Sequence, residues 1–252
     1  MNVGFYGFGK MAQALVPGFK NVANLRMTDP SHAAKEAAIA LGVDALSPDT
    51  LLKKSDMVII AVKPQQLPEV LPFLMSYTGI LISLLAGVKI EKISKTHKVA
   101  RVMPNLPAKL KEGMTALCFS KNIKSEEKKK ITLLFQTTGQ VCIVKESALN
   151  GVTAISGSGP AFLYGLTQGL MNHASQFSLS PEQMRTLFAQ TLVGAGKMML
   201  ENSDPVEELA KSVMSAKGTT EAGFKVLKKG YLLQAYLDII NATFLKAKEL
   251  NR

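Results

Sequence analysis

The chain has 252 residues, 47% of them hydrophobic and 19% charged, with a formal net charge of +11. At about 150 residues per domain this is one large domain or two modest ones, and the balance excludes a disordered chain, a collagen and a disulfide scaffold. The longest apolar run, Gly79 to Val88, contains Ser83 and is about half of the ~20 residues that a membrane-spanning helix needs, so no membrane partner is expected.

The basic excess is concentrated before residue 150, at +9 against +2 after it. Nearly all of it is Lys, since Arg occurs only at positions 26, 101, 185 and 252, and Trp is absent. Sequence-specific nucleic-acid binding leans on Arg forks and stacking platforms, so no nucleic acid is expected as a partner. A general attraction for anionic small molecules fits the charge better. Lys128-Lys129-Lys130 reads as a solvated helix face. Cys118 and Cys142 sit in apolar runs, far apart in sequence, and are expected to be buried free thiols rather than metal ligands. The chain enters an apolar segment directly after Met1-Asn2, with no basic start or small-residue cleavage site, which reads as cytoplasmic.

Taken in order, the first 145 residues alternate short apolar runs with helical patterns, the signature of a parallel sheet covered by helices. The strands are expected at Asn2–Tyr6, Asn24–Thr28, Met57–Val62, Ile80–Leu84, Val99–Met103, Thr115–Phe119 and Val141–Val144, with a short one near Val43–Ala45. Their near-continuous hydrophobicity implies burial on both faces. Ser47-Pro48 supplies a cap followed by a proline at the first helical position, and the helix from Ser125 to Gln136 is closed by Gly139.

From Glu146 onward only helical periodicity remains. Ser180-Pro181-Glu182-Gln183 is a capping box, and the helix that it opens carries Met184, Leu187, Phe188, Thr191, Leu192, Ala195, Met198 and Met199 along one stripe. Asp204-Pro205 opens another helix, and Leu233, Tyr236, Leu237, Ile240 and Phe244 line the last. The expected fold class is α/β: a doubly wound Rossmann-type N-terminal domain over residues 1–148, then an all-helical domain over residues 149–252. So small an apolar helical domain is expected to be completed by a second copy of itself.

Chemistry enters at Gly7-Phe8-Gly9-Lys10-Met11-Ala12, which follows the first strand and opens a helix. Gly7 permits the tight turn, Gly9 lets the backbone approach a pyrophosphate, and Ala12 lets the helix pack close to the sheet. Asp29, at the end of the second strand, is placed to accept hydrogen bonds from an adenosine ribose. No Arg follows it; Ser31, His32 and Lys35 are the only groups near enough to meet a 2′-phosphate. This favours NADH over NADPH slightly, while Asp29 can equally start the Pro30 helix. Ala61-Val62-Lys63-Pro64 and Arg101-Val102-Met103-Pro104-Asn105 end two further strands, which puts Lys63 and Asn105 where a nicotinamide and a substrate would lie. In the helical part, Ser156-Gly157-Ser158-Gly159-Pro160 breaks and restarts a helix. Ser215-Ala216-Lys217-Gly218-Thr219-Thr220 lies between two helices, a setting that favours a carboxylate.

This ordered set closely resembles the pyrroline-5-carboxylate reductase family over nearly the whole chain. The shared stretches are Gly7–Ala12, Ala61–Pro64, Arg101–Asn105, Gly157–Pro160, Gln190-Thr191 with Gly194, and Gly218–Thr220 with Ala222-Gly223. The resemblance implies reduction of 1-pyrroline-5-carboxylate to L-proline with NAD(P)H. It implies cofactor contacts from Gly7, Gly9, Lys10, Met11, Asp29, Ala61, Val62, Lys63, Pro64 and Asn105, and no metal. The substrate carboxylate would be held by Ser215, Lys217, Gly218, Thr219 and Thr220, with the Thr220 hydroxyl near the ring nitrogen as the catalytic group. A homodimer through the C-terminal helices is implied too, which in this family often assembles further into rings.

The chain departs from the family pattern at Leu106, where Thr is usual, and at Ala216-Lys217, where Pro-Gly is usual. Three other readings stay open on sequence. One is a reductase of another imine or of a carbonyl acid on the same scaffold; a β-hydroxyacid dehydrogenase would have Lys197 as its only candidate lysine for proton transfer. A non-catalytic dinucleotide-binding sensor would keep the fold without turnover, and a polyanion binder would show a steep salt dependence.

Overall fold

The computed structural model describes residues 1–250. The alternation expected in the first part forms β1 (Asn2–Tyr6), α1 (Lys10–Phe19), β2 (Asn24–Thr28), α2 (His32–Leu41), β3 (Asp44–Ala45), α3 (Pro48–Lys53), β4 (Met57–Ile60), α4 (Leu67–Leu74), β5 (Ile80–Ser83), α5 (Ile90–Ile93) and β6 (Lys98–Met103). It closes with β7 (Gly113–Phe119), α6 (Ser125–Gln136) and β8 (Gly139–Ile143). All eight strands lie in one sheet of order β3-β2-β1-β4-β5-β6-β7-β8. The order reverses at β1, which pairs in parallel with β2 on one side and β4 on the other. In such a sheet the crevice at the reversal, outside the carboxyl ends of the strands, is the ligand site.

The sheet is not parallel throughout. β7 runs antiparallel to β6, with Arg101 opposite Cys118, and β8 then follows parallel to β7. The reason lies in the connections. Residues 104–112 hold only a 3₁₀ turn, Leu106–Leu110, too short for the crossover of a dozen or more residues that a parallel neighbour requires. Between β7 and β8, α6 supplies a full crossover.

The strands are apolar on both faces because both are covered. On one face Phe5, Phe19 and Phe135 pack ring against ring, at 6.3 Å stacked and 5.1 Å edge-on. On the other, Val58, Ile60, Leu81 and Val99 meet Leu67, Val70 and Leu74 of α4. Ser47 caps α3 through the Thr50 amide. In α6, Lys129 and Lys130 face solvent as expected, whereas Lys128 is half-buried with its ammonium 5.8 Å from the Phe119 ring centre.

Cys118 is a buried free thiol, but Cys142 is only half-buried. β8 is an edge strand with no fully buried residue, so one flank of Cys142 stays uncovered. Burial first, then the Glu146 charge, push the Cys118 thiol up to about 11 against the Arg101 guanidinium, which lowers it. Because the folded protein holds this proton more tightly than the unfolded chain, the resulting stability is complete below pH 9.0 and is lost as pH rises to about 11. Thiol reagents at pH 8 are therefore expected to modify Cys142 in the native protein and Cys118 only after denaturation. Equal labelling rates would contradict the burial.

After β8 the chain is helical: α7 (Leu149–Val152), a π-helical turn (Thr153–Gly157), α8 (Gly159–Asn172), α9 (Pro181–Glu201), α10 (Val206–Ser212), α11 (Thr219–Leu227) and α12 (Tyr231–Glu249). By its contacts the chain divides into two units. One comprises residues 1–160 with the end of the chain from Ala242, the other residues 161–241. The Ser180 capping box of α9 forms as expected, with Gln183 N donating to Ser180 Oγ at 3.1 Å and Ser180 N to Gln183 Oε1 at 2.8 Å. In contrast to the first unit, α9, α10 and α11 bury no residue in the single chain. Leu187, Met198 and Met199 of the expected stripe are all exposed.

Candidate active site

The first turn after β1 is built around two glycines with different duties. Gly7 has φ +90° and donates its amide to the Thr28 carbonyl at 2.9 Å. A Cβ there would lie 2.8 Å from the Val62 backbone nitrogen and 2.9 Å from the Ala61 carbonyl carbon. Gly9 caps α1 with no side-chain partner for the helix amides, and a Cβ there would meet nothing within 4 Å. The first turn of α1 thus presents unsatisfied N–H groups and the positive end of its dipole to open space.

Asp29 ties this turn to the next. Its Oδ2 accepts from the Phe8 amide at 2.8 Å and its Oδ1 from the Ser31 amide at 2.9 Å. Both expected roles are thereby compatible: the carboxylate fixes the turn before α2, and each oxygen retains the capacity to accept a further hydrogen bond.

The cleft itself measures about 940 Å³ and lies at the carboxyl ends of β1, β2 and β4. Of the residues expected from sequence, Gly7, Gly9, Asp29, Ala61, Val62 and Lys63 line it. Lys10 and Met11 stand in the adjoining first turn of α1. Pro64 follows Lys63 as the first residue of a 3₁₀ turn, pinned by Lys63 N donating to Gln66 Oε1 at 3.0 Å. Asn105 is not on the cleft wall; its amide group is occupied elsewhere in the same unit. Beside Asp29 the wall carries Ser31 and Lys35, whereas His32 is exposed and lies 3.6 Å from Glu36.

Sequence reasoning missed the far wall: Tyr6, Leu46–Pro48, Glu69 and Phe73. Tyr6 and Phe73 face each other at 6.4 Å, and burial together with the Asp49 charge pushes the Tyr6 phenol up from its ordinary value. The available signal was an aromatic residue ending β1, directly before the glycine turn. A cleft of this size, with an open glycine beside an uncapped helix start and a carboxylate at the second strand, fits a dinucleotide.

In the second unit Ser215–Gly218 forms the loop before α11, which begins at Thr219. Gly218 N donates to the Ser215 carbonyl at 2.9 Å, and Lys217 has φ +59°. Of the two conformations open to a lysine replacing glycine, the loop thus takes the strained, left-handed one, at a cost of about 1–3 kcal/mol. The Lys217 amide donates to Glu221 Oε2 at 2.6 Å, and Glu221 Oε1 meets Lys225 Nζ at 2.8 Å. The Lys225 bond first, then the Lys217 amide, hold the Glu221 carboxyl below the usual range. Thr219 and Thr220 are the first two residues of α11, exposed, and neither hydroxyl has a hydrogen-bond partner among the described residues. No group of three or more His, Cys, Asp or Glu side chains placed to hold a metal occurs among the described residues, and no helix among them is long and apolar enough to cross a membrane.

Fold and cleft together define a dinucleotide-binding oxidoreductase with a helical C-terminal part. Residues 146–250 match the family model for pyrroline-5-carboxylate reductase dimerisation, and residues 2–87 match that for the coenzyme F420-dependent NADP oxidoreductases. The chain is 34% identical to the pyrroline-5-carboxylate reductase of Aquifex aeolicus, over 99% of this chain and 97% of that protein. Its structure is similar to that of the Coxiella burnetii pyrroline-5-carboxylate reductase, with a TM-score of 0.88 at 30% identity, covering 100% of this chain and 98% of that one. It is also similar to the Plasmodium falciparum pyrroline carboxylate reductase solved with NADP bound, with a TM-score of 0.84 at 29% identity over the same shares. The chain belongs to the pyrroline-5-carboxylate reductase family.

Proposed function

We propose that this protein reduces 1-pyrroline-5-carboxylate to L-proline, the last step of proline biosynthesis, using NAD(P)H. The observation that carries this reading is that the likeness spans both parts of the chain, from the Gly7–Ala12 turn to the Ser215–Thr220 loop. Residues 1–148 are the dinucleotide-binding domain in this reading and residues 149–252 the substrate and dimerisation domain. A reduced nicotinamide bound there supplies the hydride. Gly7, Gly9, Lys10 and Met11 receive the pyrophosphate, Asp29 the adenosine ribose, and Ala61–Pro64 the nicotinamide half. Asn105 belongs to that end of the sheet by an indirect route. Ser215, Lys217, Gly218 and Thr219 hold the substrate carboxylate with backbone amides and hydroxyls, and the Thr220 hydroxyl supports the ring nitrogen of the iminium form. Purified protein mixed with 1-pyrroline-5-carboxylate and NADH or NADPH should oxidise the cofactor. Cofactor binding without oxidation would leave a dinucleotide-binding protein that is not this enzyme.

NADH should serve at least as well as NADPH, because the Asp29 carboxylate would repel a 2′-phosphate. Asp29→Ser is expected to move the ratio of kcat/KM values towards NADPH by about tenfold, the equivalent of one interaction of ~1.4 kcal/mol. A wild type preferring NADPH a hundredfold would show that Ser31 and Lys35 outweigh the carboxylate.

The exposed apolar stripes of α9 and α12, including Leu187, Met199, Leu233 and Leu237, support a homodimer through the C-terminal helices, with rings as its further assembly. The protein is expected to scatter light as a dimer or larger at micromolar concentration. An active monomer would overturn this. A cytoplasmic location accords with this reading.

A further inference from the structure

Asn105 parts company with its expected role. It is 8% exposed, and both ends of its amide are spent on backbone groups. Oδ1 accepts from the Met114 amide at 2.8 Å, while Nδ2 donates to the Ser156 carbonyl at 3.2 Å and lies 3.4 Å from Ser156 Oγ.

Each of these backbone groups lies where regular pairing is interrupted. β6 ends at Met103, opposite Ala116, so the β6 ladder stops before it reaches Met114. The Ser156 carbonyl lies in the π-helical turn Thr153–Gly157, and Pro160, four positions on, has no N–H with which an α-helical bond to it could form. Buried backbone groups left unpaired are costly. A primary amide is the side chain that offers a donor and an acceptor in one plane and can serve both.

The turn needs such a tie. A π-helical turn interrupts the regular helix repeat, so its placement rests on contacts from outside the helix. Here these include Asn105 and Met103, whose Cε would lie 2.8 Å from a Cβ on Gly157. α8 starts at Gly159, directly after the turn. Asn105 thus joins the carboxyl edge of the sheet, where ligands of such folds lie, to the start of the first long C-terminal helix.

We infer that Asn105 is a positioning residue, which holds Ser156–Pro160 against the end of β6 and so sets the nicotinamide end of the site without touching the cofactor. The inference rests on the proposed reductase function and assigns Asn105 a place in it.

The test uses the full-length protein and three variants, Asn105→Asp, Asn105→Ala and Ser156→Ala. NADH affinity is read from the fluorescence of NADH itself, turnover with 1-pyrroline-5-carboxylate, and thermal stability in parallel. Asn105→Asp keeps the acceptor for Met114 and loses the donor to Ser156. It is expected to bind NADH within about twofold of wild type and to lose about tenfold in kcat, the rate equivalent of one buried hydrogen bond. Asn105→Ala should match it if it folds. Ser156→Ala retains the carbonyl and should stay within about twofold in both readings, because the main bond is to the backbone.

Loss of NADH affinity in step with kcat would make Asn105 a direct cofactor contact and overturn the inference. So would a lower melting temperature with kcat unchanged, which marks a purely structural tie. If the wild type oxidises no cofactor with this imine, the reductase reading itself fails. Amide exchange across residues 153–160 of Asn105→Asp then decides the tie: faster exchange than wild type supports it, and unchanged exchange refutes it.

Discussion

Thr220→Ala is expected to lower kcat by about 10- to 100-fold, the loss that follows when one hydrogen bond of about 1.5–3 kcal/mol to a reacting centre is removed. Thr220 is the second residue of α11, exposed, with a hydroxyl that no described group engages. Removing that hydroxyl therefore leaves no internal partner unsatisfied, and the melting temperature should hardly move. Cofactor affinity should also hold, since Thr220 is not part of the cleft that fits the dinucleotide. Thr220→Ser, which keeps the hydroxyl, should recover most of the rate. Unchanged kcat in the alanine variant would reduce Thr220 to a residue of the helix start and move the support of the ring nitrogen elsewhere.

A second pair of substitutions separates what the fold needs from what the ligand needs. Gly9→Ala places a methyl group into space that holds no protein atom within 4 Å, at a φ of −74° that alanine adopts freely. Stability should fall by less than about 1 kcal/mol, while NADH affinity should fall at least about tenfold because the methyl stands where the pyrophosphate approaches the backbone. Gly7→Ala is expected to do the reverse first. Its methyl would press on the Val62 backbone at φ +90°, costing about 1–3 kcal/mol in strain before any clash is relieved. Equilibrium unfolding in urea with and without NADH distinguishes the two. A Gly9→Ala protein that binds NADH normally would mean that the pyrophosphate does not cross this turn.

Much of the fold was legible in the sequence, because strands buried on both faces are written as unbroken apolar runs. The Asn2–Tyr6 and Asn24–Thr28 strands agree with expectation to the residue. Strand direction was harder to read, since a buried strand has the same composition whichever way it points. The short segment 104–112 was nonetheless a readable sign that β7 turns back. Local motifs such as Gly7–Ala12 and the Ser180 box carry their own geometry and were recognised as such. The Tyr6 and Phe73 wall could not be, because its residues are brought together only by the packing of α4 on the sheet. The contacts of Asn105 were hidden for a related reason. Its position at a strand end was visible, but the two backbone groups that claim its amide, Met114 and Ser156, belong to later segments whose placement the local sequence does not encode.

The left-handed conformation of Lys217 also bears on the unfolded chain. A lysine in place of a glycine is held at a cost of about 1–3 kcal/mol in the folded loop. The same replacement narrows the range of conformations available before folding, which returns about 0.4–1 kcal/mol. The bond from the Lys217 amide to Glu221 does not alter this difference, because a glycine at the same position would donate the same backbone N–H. Because a side chain held at positive φ costs more than the lost freedom returns, the exchange is mildly destabilising. Lysine at this position thus adds a positive charge to the loop at a small cost in the stability of the folded chain.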